Sequence, residues 1–151
     1  MTEPGPRASV DVKVDAVIGR PPHDVAAYAN DPSNAPRWYA NISRVEWKTP
    51  PPLGVGSEVE FVARFLGRTL RYTYEVVELT PSSLVMRTAQ GPFPMETSYR
   101  YEAAPDGRTR MSLRNRGNPS GFARLARPFL PAAMRRANTK DLSALKRLLE
   151  A

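Results

Sequence analysis

The sequence predicts an α+β domain, a curved antiparallel sheet of about seven strands wrapped around one long C-terminal helix, with two short helices after the first strand. Three observations carry this. Val10, Val12, Val14, Ala16 and Ile18 alternate with Asp11, Lys13 and Asp15, the period-two pattern of a half-buried strand. From Ser57 to Asn115 the same alternation recurs between short turn signals, as in a meander of strands. From Ser120 to Ala151 the apolar period changes to that of a helix.

The first strand ends at Arg20-Pro21-Pro22. Pro22 suits the first turn of a short helix through Val25, Ala26 and Tyr28, which Asn30-Asp31-Pro32 stops. Ser33 is then read as the cap of a second short helix over Asn34 to Trp38. A strand follows from Ile42 to Lys48, with Val45 and Trp47 on one side, closed by Thr49-Pro50-Pro51-Pro52. Gly54 and Gly56 form only G-x-G, without the third glycine and strand-helix context of a nucleotide fingerprint, so they read as a turn.

In the meander, Val59, Phe61, Ala63 and Phe65 share a face, and Gly67 turns the chain. Leu70, Tyr72, Tyr74 and Val76 continue it to the turn at Thr80-Pro81-Ser82. Leu84, Met86 and Thr88 lead to Gly91-Pro92, after which Phe93, Met95, Thr97, Tyr99 and Tyr101 alternate with polar residues. Asp106-Gly107 is a hairpin-turn signal. The last strand sets Thr109, Met111, Leu113 and Asn115 against Arg108, Arg110, Arg114 and Arg116.

In the final segment Ser120 is a suitable N-cap, and Phe122, Leu125, Ala126, Phe129 and Ala133 form one stripe. A second stripe, Met134, Ala137, Leu142, Leu145, Leu148 and Leu149, lies about a quarter-turn round at roughly 100° per residue. Pro128 and Pro131 sit where the phase changes, so a kink or 3₁₀ break is expected over Arg127 to Leu130, the alternative being two helices and a corner. Such a sheet is wider than one helix can fill. A cavity of a few hundred Å³ lined by aromatics is therefore expected between them.

At 151 residues the chain suits one domain, read as residues 9–151 behind a disordered Met1 to Ala8. Its 41% hydrophobic and 25% charged content are those of a globular protein. No apolar run reaches membrane-spanning length and Met1 to Arg7 lacks a signal-peptide core, so a cytoplasmic location without an integral membrane segment is expected. The absence of cysteine rules out disulfides and thiolate chemistry, and His23 as the only histidine rules out imidazole-rich metal sites. No metal or cofactor is expected.

The net charge of +7 is concentrated late in the chain, where Arg124, Arg127, Arg135, Arg136, Lys140, Lys146 and Arg147 face only Asp141 and Glu150. A nucleic acid would want these bases interleaved with aromatics, so the stretch reads as a solvated face and no nucleic-acid partner is expected. The abundance of Arg, Ala and Pro is that of a GC-rich bacterial genome. The oligomeric state is left as monomer or homodimer.

Arg20-Pro21-Pro22 with Val25, the Asp31 to Trp38 segment, Gly54-Val55-Gly56-Ser57 before a strand, and the closing Met134-Arg135-Arg136-Ala137 with Asp141-Leu142 resemble the SRPBCC superfamily, the START-domain and polyketide cyclase/dehydrase-like proteins with a helix-grip fold. The resemblance runs from about Val10 to Glu150. It implies a deep hydrophobic pocket in which members bind lipids, sterols, hormones or polyketides, and some catalyse cyclisation, aromatisation or dehydration. It carries no catalytic residue over to this chain.

Trp47, Phe61, Phe65, Tyr72, Tyr74, Met86, Phe93, Met95, Tyr99, Met111, Phe122, Leu125 and Phe129 are expected to line the cavity. Glu58, Glu60, Glu75, Glu96 and Glu102 all fall on the opposite strand faces, so no inward acid/base pair is visible. Arg68, Tyr72, Tyr99 and Asn115 are the candidates for hydrogen-bonding or polarising a ligand oxygen, with Thr88 and Thr97 also inward. Against these stand structural readings: tyrosines as core aromatics, Arg68 exposed in the Gly67 turn, Asn115 bonded to the turn after it. His23 follows two prolines at a helix start, an exposed place without an orienting carboxylate except Asp24, and Trp38 reads as a packing anchor.

Three functions are compatible with this pattern. The first is binding of a hydrophobic, lipid- or polyketide-like small molecule in the cavity. The second is a cyclase/dehydrase-type enzyme that uses Tyr, Arg and Asn hydrogen bonds to orient a poly-ketone there. The third is an interaction protein presenting the basic helix face to an acidic partner. An ionisable group inside the cavity would favour the enzyme.

Overall fold

The computed structural model describes residues 10–65, 67–119 and 128–151. The predicted disordered Met1 to Ala8, the Ser120 cap and the cavity residues Phe122 and Leu125 lie outside the described residues.

Seven strands form one antiparallel sheet in the order β1-β7-β6-β5-β4-β3-β2, with β1 Val10–Ile18, β2 Ile42–Trp47, β3 Glu58–Phe65, β4 Arg68–Thr80, β5 Ser83–Gln90, β6 Met95–Ala104 and β7 Arg108–Gly117. After β1 come α1, Pro22–Ala29, and α2, Ala35–Trp38; α3, Leu130–Glu150, closes the chain. The register Val14↔Leu113↔Tyr99↔Leu84 aligns apolar residues of four neighbouring strands on one face. That face and the three helices bury Val12, Ile18, Val25, Trp38, Leu84, Met111, Leu113, Leu142 and Leu145 in one core, each large aliphatic side chain contributing about 1.5–3 kcal/mol.

The turns follow the sequence chemistry. Asp106 and Gly107 both take positive φ, 64° and 70°, in the three-residue turn Pro105–Gly107 that joins the paired Ala104 and Arg108. The Gly54–Gly56 segment is a loop whose Gly56 N–H donates to Val76 O at 2.8 Å. The second short helix departs from expectation: Asp31, not Ser33, supplies the cap, its Oδ1 accepting from Ser33 N at 3.0 Å to start a 3₁₀ turn over Pro32–Asn34. Ser33 Oγ instead accepts from Trp47 Nε1 at 3.1 Å.

Pro128 and Phe129 form a turn and α3 starts at Leu130, within the stretch where a break was expected; the first part of the expected helix, residues 120–127, lies outside the described residues. Pro131 falls in the first turn, where its missing N–H leaves no helical bond unmade. Leu148, counted in the apolar stripe, is exposed.

α3 runs closest to β1 and α2. β1 is an edge strand, and α3 covers its free edge with polar side chains. Arg135 Nη1 donates to Lys13 O (3.1 Å), Lys146 Nζ to Val17 O (2.8 Å), Gly19 N to Glu150 Oε2 (2.7 Å) and Arg20 Nη1 to Leu149 O (3.2 Å). The first two satisfy β1 edge carbonyls that would otherwise template another strand, and the other two fasten the end of α3 just beyond β1. Fastened along β1, the helix leaves a gap in front of β3 to β6.

Candidate functional site

The gap is a cavity of about 160 Å³, open to solvent. Its wall is built from β3 (Phe61, Ala63, Phe65), β4 (Leu70, Tyr72, Tyr74), Met86 of β5, β6 (Met95, Thr97, Tyr99), Asn115 of β7, the Phe93 loop and one face of α3. Strand alternation selects these residues, every second side chain pointing inward. Phe61 and Tyr74 meet edge-on at 5.7 Å between centroids, Tyr72 and Tyr74 lie 6.0 Å apart, and Tyr72 and Phe93 meet edge-on at 5.9 Å. Leu70, Tyr72 and Phe93 form a cluster of their own, with Phe65, Tyr74 and Met95 packed against it. The wall is therefore mainly apolar and aromatic, with polar atoms at few points.

Of the expected lining residues, Phe61, Phe65, Tyr72, Tyr74, Met86, Phe93, Met95 and Tyr99 face this cavity. Three do not. Trp47 lines a separate depression with His23, Pro51, Pro52 and Leu53, because its ring packs over the α1 side of the fold. Met111 is fully buried in the core. Phe129 is 75% exposed at the turn before α3, since the helix begins one residue after it. Among the candidate polar residues, Tyr72, Tyr99 and Asn115 line the cavity, whereas Arg68 is exposed at the start of β4 and does not. Trp38 packs in the core against Tyr39 and Tyr99, with centroids at 4.0 and 5.7 Å.

The polar groups form short paired runs. Tyr39 and Tyr99 share a hydroxyl–hydroxyl bond of 2.6 Å. Thr97 Oγ1 donates to Asn115 Oδ1 at 2.6 Å and lies 3.5 Å from the Tyr74 hydroxyl. Thr88 does not point into the cavity but brackets the Gly91 loop, donating to Met95 O at 2.7 Å. Burial pushes the phenols of Tyr39, Tyr72, Tyr74 and Tyr99 up, so they stay neutral donors at working pH. The strand carboxylates point outward as expected: Glu60 pairs with Arg71, and Glu96 with Arg87 and Arg116.

α3 adds the groups that sequence reasoning missed. Met134, Ala137, Asn138 and Asp141 face the cavity from successive turns. Asp141 is 3% exposed, and its Oδ1 accepts from Ala40 N at 3.0 Å. Burial pushes its carboxyl up to about 6, against the opposing effects of the Ala40 bond and the Lys140 charge. Asn138 is 6% exposed, and its Nδ2 is buried without a hydrogen-bond partner. The available signal was spacing: Met134, Asn138, Asp141 and Leu145 recur at four, three and four residues, so the two polar residues continue the buried stripe. Tyr39, Asn41 and Ile42, between α2 and the start of β2, complete the wall. Among the described residues no three His, Cys, Asp or Glu side chains come together to hold a metal ion.

The family model described as polyketide cyclase/dehydrase and lipid transport matches residues 9–150. The chain belongs to this family. No curated protein matches it by sequence. Its fold is that of solved structures including a protein of Thermus thermophilus (18% identity, 91% of this chain and 94% of that one, TM-score 0.78). A START superfamily protein from Mycobacterium smegmatis is similar over 93% of this chain and 97% of that one (13% identity, TM-score 0.77). The Zhui aromatase/cyclase of a Streptomyces species is similar over 93% of each chain (19% identity, TM-score 0.77). At these identities the likeness is one of fold. The family member thus has the helix-grip architecture that the SRPBCC resemblance implied. No helix among its described residues is long and apolar enough to cross a membrane.

Proposed function

We propose that this protein binds a hydrophobic small molecule, lipid- or polyketide-like, in the cavity between the sheet and α3. The observation that carries the reading is the cavity itself, about 160 Å³ of open space walled by Phe61, Phe65, Tyr72, Tyr74 and Phe93. Apolar surface left open to water in this way is costly, and an apolar ligand that displaces the water recovers it. The family description names lipid transport alongside cyclisation.

A second reading, a cyclase/dehydrase-type reaction in the same cavity, is favoured by one observation. Asp141 places an ionisable carboxyl, pushed up to about 6, on the cavity wall. A base of that strength could take an acidic proton α to a carbonyl near neutral pH, with tyrosine hydroxyls holding the oxygens. The third reading, a basic interaction face, draws less support, since Arg135 and Lys146 are engaged by β1 carbonyls.

Native mass spectrometry of gently purified protein tests the binding reading. The expected result is an adduct of a few hundred daltons that is lost on unfolding and absent from an Ala137→Trp variant, whose indole would fill the cavity. An adduct retained by that variant would place the ligand elsewhere. Turnover of an added poly-ketone that stops in Asp141→Asn would move the conclusion to the enzyme.

A further inference from the structure

Most polar side chains of the cavity wall are satisfied by one another, Tyr39 by Tyr99 and Thr97 by Asn115. Asn138 is a buried exception. Its amide nitrogen is buried on the cavity wall with no acceptor, and an unpaired buried donor is a standing cost that a ligand acceptor would remove. One turn further along the same face of α3, Asp141 has its Oδ1 occupied by the Ala40 N–H, so Oδ2 is the atom left to a ligand. A donor and an acceptor thus stand about one helical turn apart on one face of α3, in a mainly apolar site. A single hydroxyl is the group that uses both, since its oxygen accepts while its hydrogen is donated.

We propose that Asn138 and Asp141 form a hydroxyl-recognition subsite, in which Asn138 Nδ2 donates to, and the Asp141 carboxylate accepts from, one alcohol or phenol oxygen of the ligand. The inference rests on the binding function argued above and narrows its ligand class. The ligand is a neutral, largely apolar skeleton carrying a hydroxyl at the end that meets α3. A ligand carboxylate is excluded there, because it would face Asp141 at close range in a site of low dielectric. A ketone or ether uses only half of the pair.

Three probes of one ring system separate the terms: 2-naphthol donates and accepts, 2-methoxynaphthalene only accepts, and 2-methylnaphthalene does neither. Each is titrated by fluorescence into the full chain and into two variants. Asn138→Leu is expected to weaken 2-naphthol and 2-methoxynaphthalene about tenfold and leave 2-methylnaphthalene as tight or tighter. Asp141→Asn, which sets an amide donor where Oδ2 was, is expected to weaken 2-naphthol alone by a similar factor. Losses that are equal across the three probes, or no losses, would overturn the subsite while leaving the cavity as a binding site; the pair would then hold water. Failure of all three to bind the wild type would overturn the binding reading, and the subsite with it. Should a variant not fold, the wild type decides alone: it must bind 2-naphthol more tightly than 2-methylnaphthalene, although the latter gains more from leaving water.

Discussion

The hydroxyls of Tyr39 and Tyr99 lie 2.6 Å apart, a hydrogen bond that ties the residue after α2 to the middle of β6 at the cavity wall. Burial keeps both phenols neutral, so the bond persists across the working pH range. Tyr39→Phe or Tyr99→Phe alone leaves the other hydroxyl without its partner and is expected to cost about 1–3 kcal/mol of stability. The double variant should cost less than the sum of the two, and a double-mutant cycle by urea denaturation measures the difference. Strict additivity would mean that the pair does not couple α2 to the sheet.

Asp141 makes stability depend on pH in a stated direction. Its carboxyl, ordinarily near 3.8, is raised by burial to about 6 in the folded protein. The folded state therefore disfavours the ionised form, so the contribution is fully present below pH 3.8 and is lost as pH rises through about 6. Asp141→Asn keeps an acceptor for Ala40 N–H and removes the ionisation. The variant should be more stable than wild type by about 1–3 kcal/mol above pH 6.5 and equal to it below pH 4, read from thermal melts across that range.

Two glycines near the cavity separate a yielding neighbour from a fixed one. A Cβ on Gly91 would stand 2.7 Å from Tyr72 Cδ1 and 3.0 Å from Thr88 Cγ2, side-chain atoms. Gly91→Ala is expected to push the Tyr72 ring, changing probe affinity more than stability. A Cβ on Gly117 would overlap the Met95 sulfur and stand 2.6 Å from the Pro94 carbonyl oxygen, which is backbone. Gly117→Ala is therefore expected to cost about 1–3 kcal/mol in chemical denaturation. A harmless Gly117→Ala would contradict the β6–β7 register at Met95↔Gly117.

Ala137 faces the cavity from α3 and is only partly buried, so a larger side chain can enter the open space without displacing the core. Ala137→Trp is expected to keep the wild-type melting midpoint within a few degrees and to lower hydrophobic-probe affinity at least about tenfold. Unchanged affinity in a folded variant would move the site away from α3.

The sheet was legible because strand alternation and turn residues repeat a simple rule seven times, and eight of the expected lining residues share one cavity as a result. The errors have physical causes. Phe129 and Leu148 fit a helical stripe on paper, but a stripe predicts burial only where another element covers it, and α3 starts after Phe129. Trp47 and Met111 had the right hydrophobicity and parity, yet the first packs on the α1 side and the second is fully buried in the core. Asn138 and Asp141 were missed for the opposite reason. A search for apolar periodicity passes over polar residues that occupy buried positions, and it is these that a cavity needs to orient a ligand.

Binding in the cavity is tested most directly by a ¹H–¹⁵N and methyl chemical-shift titration of the full chain with 2-naphthol. A ligand seated there gives shifts that saturate together and map to Phe61, Tyr72, Met95, Thr97, Ala137, Asn138 and Asp141, the wall of one cavity. Shifts confined to the Trp47, Pro51 and Leu53 depression or to the exposed bases of α3, or none at saturating probe, would contradict binding in the cavity.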